Sequence, residues 1–249
     1  MAPNRSFHRD DTEPELSTRS ANTPRRAPVS RRARLSRLAD AVAGAPLPEP
    51  LRFRIGGLIL RIAGKSARHL PPPDDGKVRI NLGSGDKNLE GYVNVDIVDA
   101  RSGIRPDVVC DIRKLEFPDA YADEILSIHT IEHFYYWEVD EVLREWKRVL
   151  KPGGKLILEC PNIVYAARRI VGNERRLLSP RLGWRSTMFV LYGDPAWEDP
   201  FMCHRWGWSP LSLRKKLEEI GFRKVGRDLA RFKKSYPRDM RIIGIKPNR

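Results

Sequence analysis

The sequence predicts an α/β fold built on a mostly parallel sheet of seven strands. Three observations predict it. Short apolar runs of strand length recur from residue 78 onward. Amphipathic helical patterns over 137–150 and 212–220 stand between the later runs. The first run ends on Gly83-Ser84-Gly85 and the second on Asp96, a turn and an acid where open α/β sheets place their ligands.

The elements follow in order. Val78–Leu82 and Tyr92–Val95 are the first two strands, and Asp107–Cys110 is the third, ending at Asp111. Glu124–Ile128 is the fourth. The helix over 137–150 sets Val139, Val142, Leu143, Trp146 and Val149 on one side, and Lys151-Pro152-Gly153-Gly154 stops it. Lys155–Cys160 is the fifth strand. The helix Ser212–Ile220 closes at Gly221, and Phe222–Val225 and Met240–Ile245 complete the sheet. An insertion over about 163–208 separates the fifth strand from that last helix.

Two connections are too short for helices. Gly85 to Asp96 is eleven positions, and Ile97 to Pro106 is no longer. Parallel neighbours usually need a crossover of a dozen or more residues. The helices after strands one and two are therefore expected to be reduced, leaving one face of the sheet short of cover. The stretch 51–70 is a candidate to fill it, in which case deletion of 1–72 should cause aggregation or unfolding.

The 73 residues ahead of this domain carry 14 Arg and Lys against 6 Asp and Glu, within a chain of net charge +14. Residues 1–50 read as a basic arm, largely disordered, with one short helix over 31–44 closed by Gly44. Residues 51–76 hold a basic amphipathic stretch and a Pro-rich linker. Packing on the following domain is the favoured reading of 51–70; contact with a membrane surface is the other. No apolar run approaches the ~20 residues of a membrane span. No secretory signal is read at the start, and three cysteines without metal-ligand spacing fit a reducing compartment. The expected location is cytoplasmic, with peripheral attachment at the inner membrane surface as the variant.

The glycine bend leaves no side chain between backbone and ligand, and Asp96 can accept from both ribose hydroxyls of a nucleoside. Together they describe a pocket for an adenosine-containing cofactor. A dinucleotide fingerprint wants a third glycine opening a helix, and none fits here. The segment His129-Thr130-Ile131-Glu132-His133 spells an inverted zinc-protease motif. That motif needs one continuous helix, whereas 125–128 reads as strand, so no metal is expected.

The ordered set Asn81-Leu82-Gly83-Ser84-Gly85, Asp96, Asp111-Ile112, Ile131-Glu132-His133 and Leu150-Lys151-Pro152-Gly153-Gly154-Lys155-Leu156 resembles the class I S-adenosylmethionine-dependent methyltransferases, over about residues 77–249. Within them it is most similar to small bacterial type-11 enzymes, often linked to cell-surface sugar or lipid biosynthesis. The resemblance implies a Rossmann-like domain, S-adenosylmethionine as cofactor, and methyl transfer to an O or N nucleophile on a small or carbohydrate-like acceptor. It implies Asn81, Gly83, Ser84, Gly85, Asp96, Asp111, Ile112 and His129 as cofactor contacts. The other reading of Asp111, less favoured, is a helix N-cap or turn residue. Candidate bases are His129, His133 and His204; His204 is favoured for contact with the acceptor, and His133 reads equally as a loop-ordering residue. Tyr192, Trp197, Trp206 and Trp208 are either an aromatic lid or the insertion's own core. The runs expected for adenine N6 or cytosine C5 methylation are missing, so a nucleic-acid substrate rests on charge alone. The alternative from another class is a non-catalytic nucleoside-binding scaffold whose basic arm recruits membrane or RNA. Oligomeric state is not legible.

Overall fold

The computed structural model describes residues 31–48, 51, 55, 58, 59, 62, 74–173, 184–232 and 237–248. Its sheet has seven strands: β1 (Arg79–Leu82), β2 (Val93–Asp96), β3 (Val108–Val109), β4 (Ala122–Ile128), β5 (Leu150–Pro161), β6 (Arg223–Asp228) and β7 (Asp239–Ile245). The spatial order is β3-β2-β1-β4-β5-β7-β6. The first five strands pair in parallel, and β7 runs antiparallel to both β5 and β6. The chain order thus reverses between β1 and β4, and ligand sites in such sheets lie at the carboxyl ends beside that reversal.

Helices are α1 (Arg31–Gly44), α2 (Val139–Val149), α3 (Ile163–Gly172), α4 (Trp184–Tyr192) and α5 (Pro210–Glu219). The apolar stripe expected for α2 is buried, Val139, Val142, Leu143, Trp146 and Val149 all facing the core. α5 starts two residues earlier than expected. Ser209 caps it, accepting from the Ser212 amide while the Ser212 hydroxyl takes the Ser209 amide. That reciprocal pair satisfies two otherwise orphaned donors. β5 also begins earlier, at Leu150, which pairs with Ala122 before the register shifts and resumes at Lys155 opposite Glu124. The Lys-Pro-Gly-Gly turn is this irregularity, not a gap between elements.

The two faces of the sheet differ. Ile80, Leu82, Val95, Ile125, Leu156, Leu158 and Ile242 share one face with the core that α2 and α5 cover. Lys216 of α5 reaches Asp140 of α2 at 2.8 Å and ties the two helices. The opposite face carries Asn81, Asn94, Glu124, Lys155, Glu159 and Arg241, set in register across neighbouring strands. Among the described residues no helix follows β1 or β2, as the short links require.

Most of 51–70 and all of 1–30 lie outside the described residues. Of the described positions in 51–70, all helical, Leu51, Leu58 and Ile62 are exposed. Among the described residues, no helix is long and apolar enough to cross a membrane.

Candidate functional site

A cleft of about 230 Å³ opens at the carboxyl ends of β1, β2 and β4. That is several times the ~30 Å³ share of one water, so it is room for an organic ligand. Asn81, Gly83, Ser84, Gly85, Asp96, Asp111, Ile112, His129 and His133 all line it.

The glycine bend is built as its residue types demand. Gly83 (φ +70°) and Gly85 (φ +61°) both occupy the left-handed region. The amides of Gly83 and Ser84 both donate to the Val95 carbonyl, at 2.9 and 3.0 Å. The Gly85 amide donates to Asp96 Oδ2 at 2.7 Å, so bend and acid converge on one point. A Cβ at Gly83 would meet Thr130 Oγ1 at 2.4 Å, whereas one at Gly85 would meet nothing within 4 Å. Gly83 is therefore required by packing, and Gly85 leaves an open approach for a ligand. Asn81 Oδ1 and Ser84 Oγ are buried without a hydrogen-bond partner among the described residues. Orphaned acceptors, an acid and an open backbone, walled by Ile97, Ile112 and Phe134, fit an adenosine-bearing cofactor.

Asp111 is a turn residue as well as a lining one. Its Oδ1 accepts from the Arg113 amide at 2.9 Å, and the Arg113 guanidinium grips both its oxygens, at 2.8 to 3.0 Å. This Arg113 bond holds its carboxyl below the usual carboxylate range. Trp146, fully buried, donates from Nε1 to the Ile112 carbonyl at 2.8 Å and fixes that segment against α2.

Beyond β4 the chain turns sharply. His129 takes φ +52°, unusual for a non-glycine residue, and its amide donates to the Glu159 carbonyl at 2.7 Å. Ile131–His133 then form one 3-10 turn. His129 and His133 do not share a helix, so the zinc-protease arrangement is not formed. His129 lies instead in a buried row of charges: Nδ1 is 3.3 Å from Glu132 Oε1, and Nε2 is 3.6 Å from Asp239 Oδ2. Burial pushes its pKa down, but the two carboxylates outweigh this and raise it to about 9. Burial likewise opposes ionisation of Glu132, and the surrounding histidines reverse it, holding that carboxyl well below its ordinary value.

His204 does not line the cleft. Its side chain is buried, Nδ1 donating to the Val190 carbonyl at 3.0 Å and Nε2 facing Glu132 Oε1 at 3.9 Å. It stands behind His133, the rings 5.0 Å apart and edge to face. Burial lowers its pKa. The expected direct acceptor contact is thus a position one layer back.

The insertion closes the cleft's outer side. Arg205 and Trp206 donate their amides to the Glu132 carbonyl, at 2.8 and 3.2 Å. Arg101 reaches across from the β2–β3 link to Trp197 at 5.4 Å and to Asp199 at 3.7 Å. The Arg205 guanidinium lies 4.7 Å from the Tyr135 ring and 5.9 Å from that of Phe201. Trp197 and Phe201 line the cleft and are exposed, whereas Trp208 is buried. The expected cluster therefore splits: Trp197 is on the rim, Trp208 is core, and Tyr192 is largely exposed away from the lining.

Sequence reasoning missed Thr130, Arg101, Phe134, Phe201, Arg205 and Phe232, which line the cleft, and Glu132, which is buried behind it. Glu159 was read only as a strand residue. Its carboxylate accepts from the amides of Arg231 and Phe232, both at 2.8 Å, and holds that segment at the cleft. A carboxylate inside an otherwise apolar strand was the available signal.

A family profile described as a methyltransferase domain matches residues 91–158. Residues 91–158, from the approach to β2 through most of β5, thus match a methyltransferase domain. Over 55 residues the chain is 44% identical to the ubiquinone/menaquinone biosynthesis C-methyltransferase UbiE of Bordetella avium (strain 197N), a match covering 22% of this chain and 21% of that protein. The chain thus spans about a fifth of the length of that relative. Among solved structures, it is similar to a SAM-dependent methyltransferase from Archaeoglobus fulgidus, at 19% identity and a TM-score of 0.47, covering 69% of this chain and 87% of that one. A second, from Aquifex aeolicus, is 15% identical with a TM-score of 0.42, covering 84% of this chain and 98% of that one.

Proposed function

We propose that the methyltransferase domain binds S-adenosylmethionine in this cleft and methylates an O or N nucleophile on a small, ring-bearing, carbohydrate-like acceptor. The observation that carries the donor reading is the meeting of the Gly85 amide with Asp96 at the carboxyl ends of β1 and β2. Asp96 Oδ1 and Oδ2 accept from the Val98 and Gly85 amides, and each oxygen keeps a lone pair for a ribose hydroxyl. Asn81, Ser84 and the open side of Gly85 then serve the methionine part, and Ile112 the adenine. The cofactor, when bound, supplies an electrophilic methyl on a sulfonium.

The acceptor reading rests on the rim. Trp197 and Phe201 offer exposed rings to a flat or sugar-like group, and Arg205 offers donors beside them. Methyl transfer needs nucleophile, methyl and sulfur in line, and a base only where the acceptor carries a proton to lose. His133 lines the cleft and is the base candidate for such an acceptor; His204 and Glu132 act on it from behind. C-methylation is the second reading, favoured by the short match to a C-methyltransferase.

The test incubates the full chain with methyl-labelled donor and extracts of bacterial envelope precursors, and follows labelled product by mass spectrometry. Formation of S-adenosylhomocysteine with a labelled small molecule supports the reading. Donor binding without turnover on any extract would favour a nucleoside-binding scaffold. Fragmentation of the product separates methyl on oxygen or nitrogen from methyl on carbon. Flotation with acidic vesicles tests whether 51–70 brings the enzyme to a membrane surface.

A further inference from the structure

The residues behind His133 are arranged for a ligand that methyl transfer itself does not require. Glu132, His133 and His204 each offer a ligand atom, and these atoms lie within 4.8 Å of one another. Glu132 is 2% exposed, and neither of its oxygens has a well-formed hydrogen bond among the described residues.

The histidine tautomers sharpen the argument. A carbonyl oxygen can only accept. His133 Nδ1, 3.1 Å from the Cys203 carbonyl, and His204 Nδ1, 3.0 Å from the Val190 carbonyl, must therefore carry the protons. Each neutral ring then keeps its lone pair on Nε2. His204 Nε2 faces Glu132 Oε1 at 3.9 Å, beyond hydrogen-bond distance, so two potential metal-ligating atoms are turned toward one another without bonding. Metal-bound histidines almost always donate their other ring nitrogen to a carbonyl or carboxylate, as both do here. His129 lies 3.3 Å from the same Glu132 oxygen and orients that carboxylate from the far side.

We propose that Glu132, His133 and His204 form a binding site for one divalent transition-metal ion beside the cleft. Ligands bonded at about 2.1 Å to one ion are at most ~4.2 Å apart, so the present spacing closes by under ~1 Å on binding. Two imidazoles and one carboxylate suit manganese, iron, cobalt or zinc better than magnesium or calcium. Three protein ligands leave coordination positions open. His133 lines the cleft, so the site borders the space where an acceptor would sit, and with its Nε2 on an ion His133 is a ligand and no longer free to serve as the base. Glu132 and His133 are neighbours, but His204 lies 71 positions further on, brought in by the insertion. The expectation of no metal came from judging the His-x-x-Glu-His run by itself.

The experiment titrates the chelator-treated full chain, any affinity tag removed, with cobalt(II) chloride. It follows the visible d–d absorption and the heat of binding. One cobalt per chain is expected, with affinity falling at least ~10-fold in His204→Gln and in His133→Gln. Circular dichroism and thermal unfolding establish that both variants are folded. Lack of stoichiometric cobalt in the wild type, or wild-type affinity in both folded variants, overturns the proposal. A parallel titration with S-adenosylmethionine keeps the two readings apart. Donor binding without cobalt removes the metal site alone, and cobalt binding without donor removes the cofactor reading alone.

Discussion

Replacing Asp96 with alanine is the most direct challenge to the donor pocket. The Asp96 carboxylate is 7% exposed and accepts from the Gly85 amide at 2.7 Å and the Val98 amide at 3.2 Å. Truncation leaves the glycine bend without its anchor and the ribose hydroxyls without an acceptor. Loss of one charge-assisted hydrogen bond in a part-buried site costs about 1.5–3 kcal/mol. At 1.4 kcal/mol per decade, the affinity for S-adenosylmethionine should fall ~10- to 150-fold. Asp96→Asn keeps the shape and one acceptor, so it should fall between wild type and alanine. Isothermal titration with S-adenosylmethionine and S-adenosylhomocysteine reads the affinities, and thermal unfolding checks the fold. A folded Asp96→Ala protein binding both within about twofold of wild type would refute the convergence of bend and acid on the nucleoside.

Gly83→Ala should lose ~2 kcal/mol or more of stability, because φ +70° is strained for alanine and its Cβ would meet Thr130 Oγ1 at 2.4 Å. Chemical denaturation should find part of that loss recovered in a Thr130→Ala background, and an equal cost in both backgrounds would exclude the clash. His129 is raised from 6.5 to about 9 in the folded chain, so its contribution is fully present below pH ~6.5 and fades as pH rises through about 9. Unfolding midpoints should therefore decline across that window in wild type and decline less in His129→Gln. The other titratable and charged groups around this cluster include Glu132, His133, Glu159, Cys160, His204, Arg238, Asp239 and Arg241. Arg205→Ala should raise KM for the acceptor while leaving donor affinity within about threefold, since its contacts are Tyr135 and Phe201 on the rim. Equal loss for donor and acceptor would move Arg205 to the donor side.

Much of the fold was legible because its signals are local. Strand-length apolar runs, Gly83 and Gly85 after the first, and the stripe of α2 each depend on neighbours in the chain. Boundaries slipped where a local rule had a second solution. Ser209, ahead of Pro210, caps α5 with Ser212 as its reciprocal partner, whereas the apolar pattern alone began at Ser212. The candidate site was less legible because its decisive contacts are long-range. Nothing near His204 in sequence says that it meets Glu132, and nothing near Asp239 says that it faces His129. Asp111 shows the intermediate case. Its bond to Arg113, two residues on, was readable, and it competes with the nucleoside role that the same residue type suggested.

The short links after β1 and β2 raise the question of what fixes them without helices, and Asn94 is the answer the hydrogen bonds give. Its Oδ1 accepts from the Leu89 amide at 2.7 Å and from Asn81 Nδ2 at 3.0 Å. Its Nδ2 donates to Asp107 Oδ2 at 2.8 Å and to the carbonyls of Leu89 and Tyr92, at 3.2 and 3.1 Å. Its own amide also donates to Asp107 Oδ2, at 2.7 Å. One buried side chain in β2 thus holds the loop that follows β1 and the start of β3. Both loops border the cleft, so their order sets the positions of Gly85 and Asp96. Asn94→Ala orphans the Leu89 amide and Asn81 Nδ2 and releases one hold on Asp107; at ~1–3 kcal/mol for each buried group left unpaired, the cost should reach ~3 kcal/mol or more. Asn81→Ala removes a single side-chain bond to the same residue and should cost about 1 kcal/mol. Urea denaturation of the two variants compares them directly. If Asn94→Ala costs no more than Asn81→Ala, the loops are held by something other than this polar face, and the reason for their missing helices must be sought elsewhere.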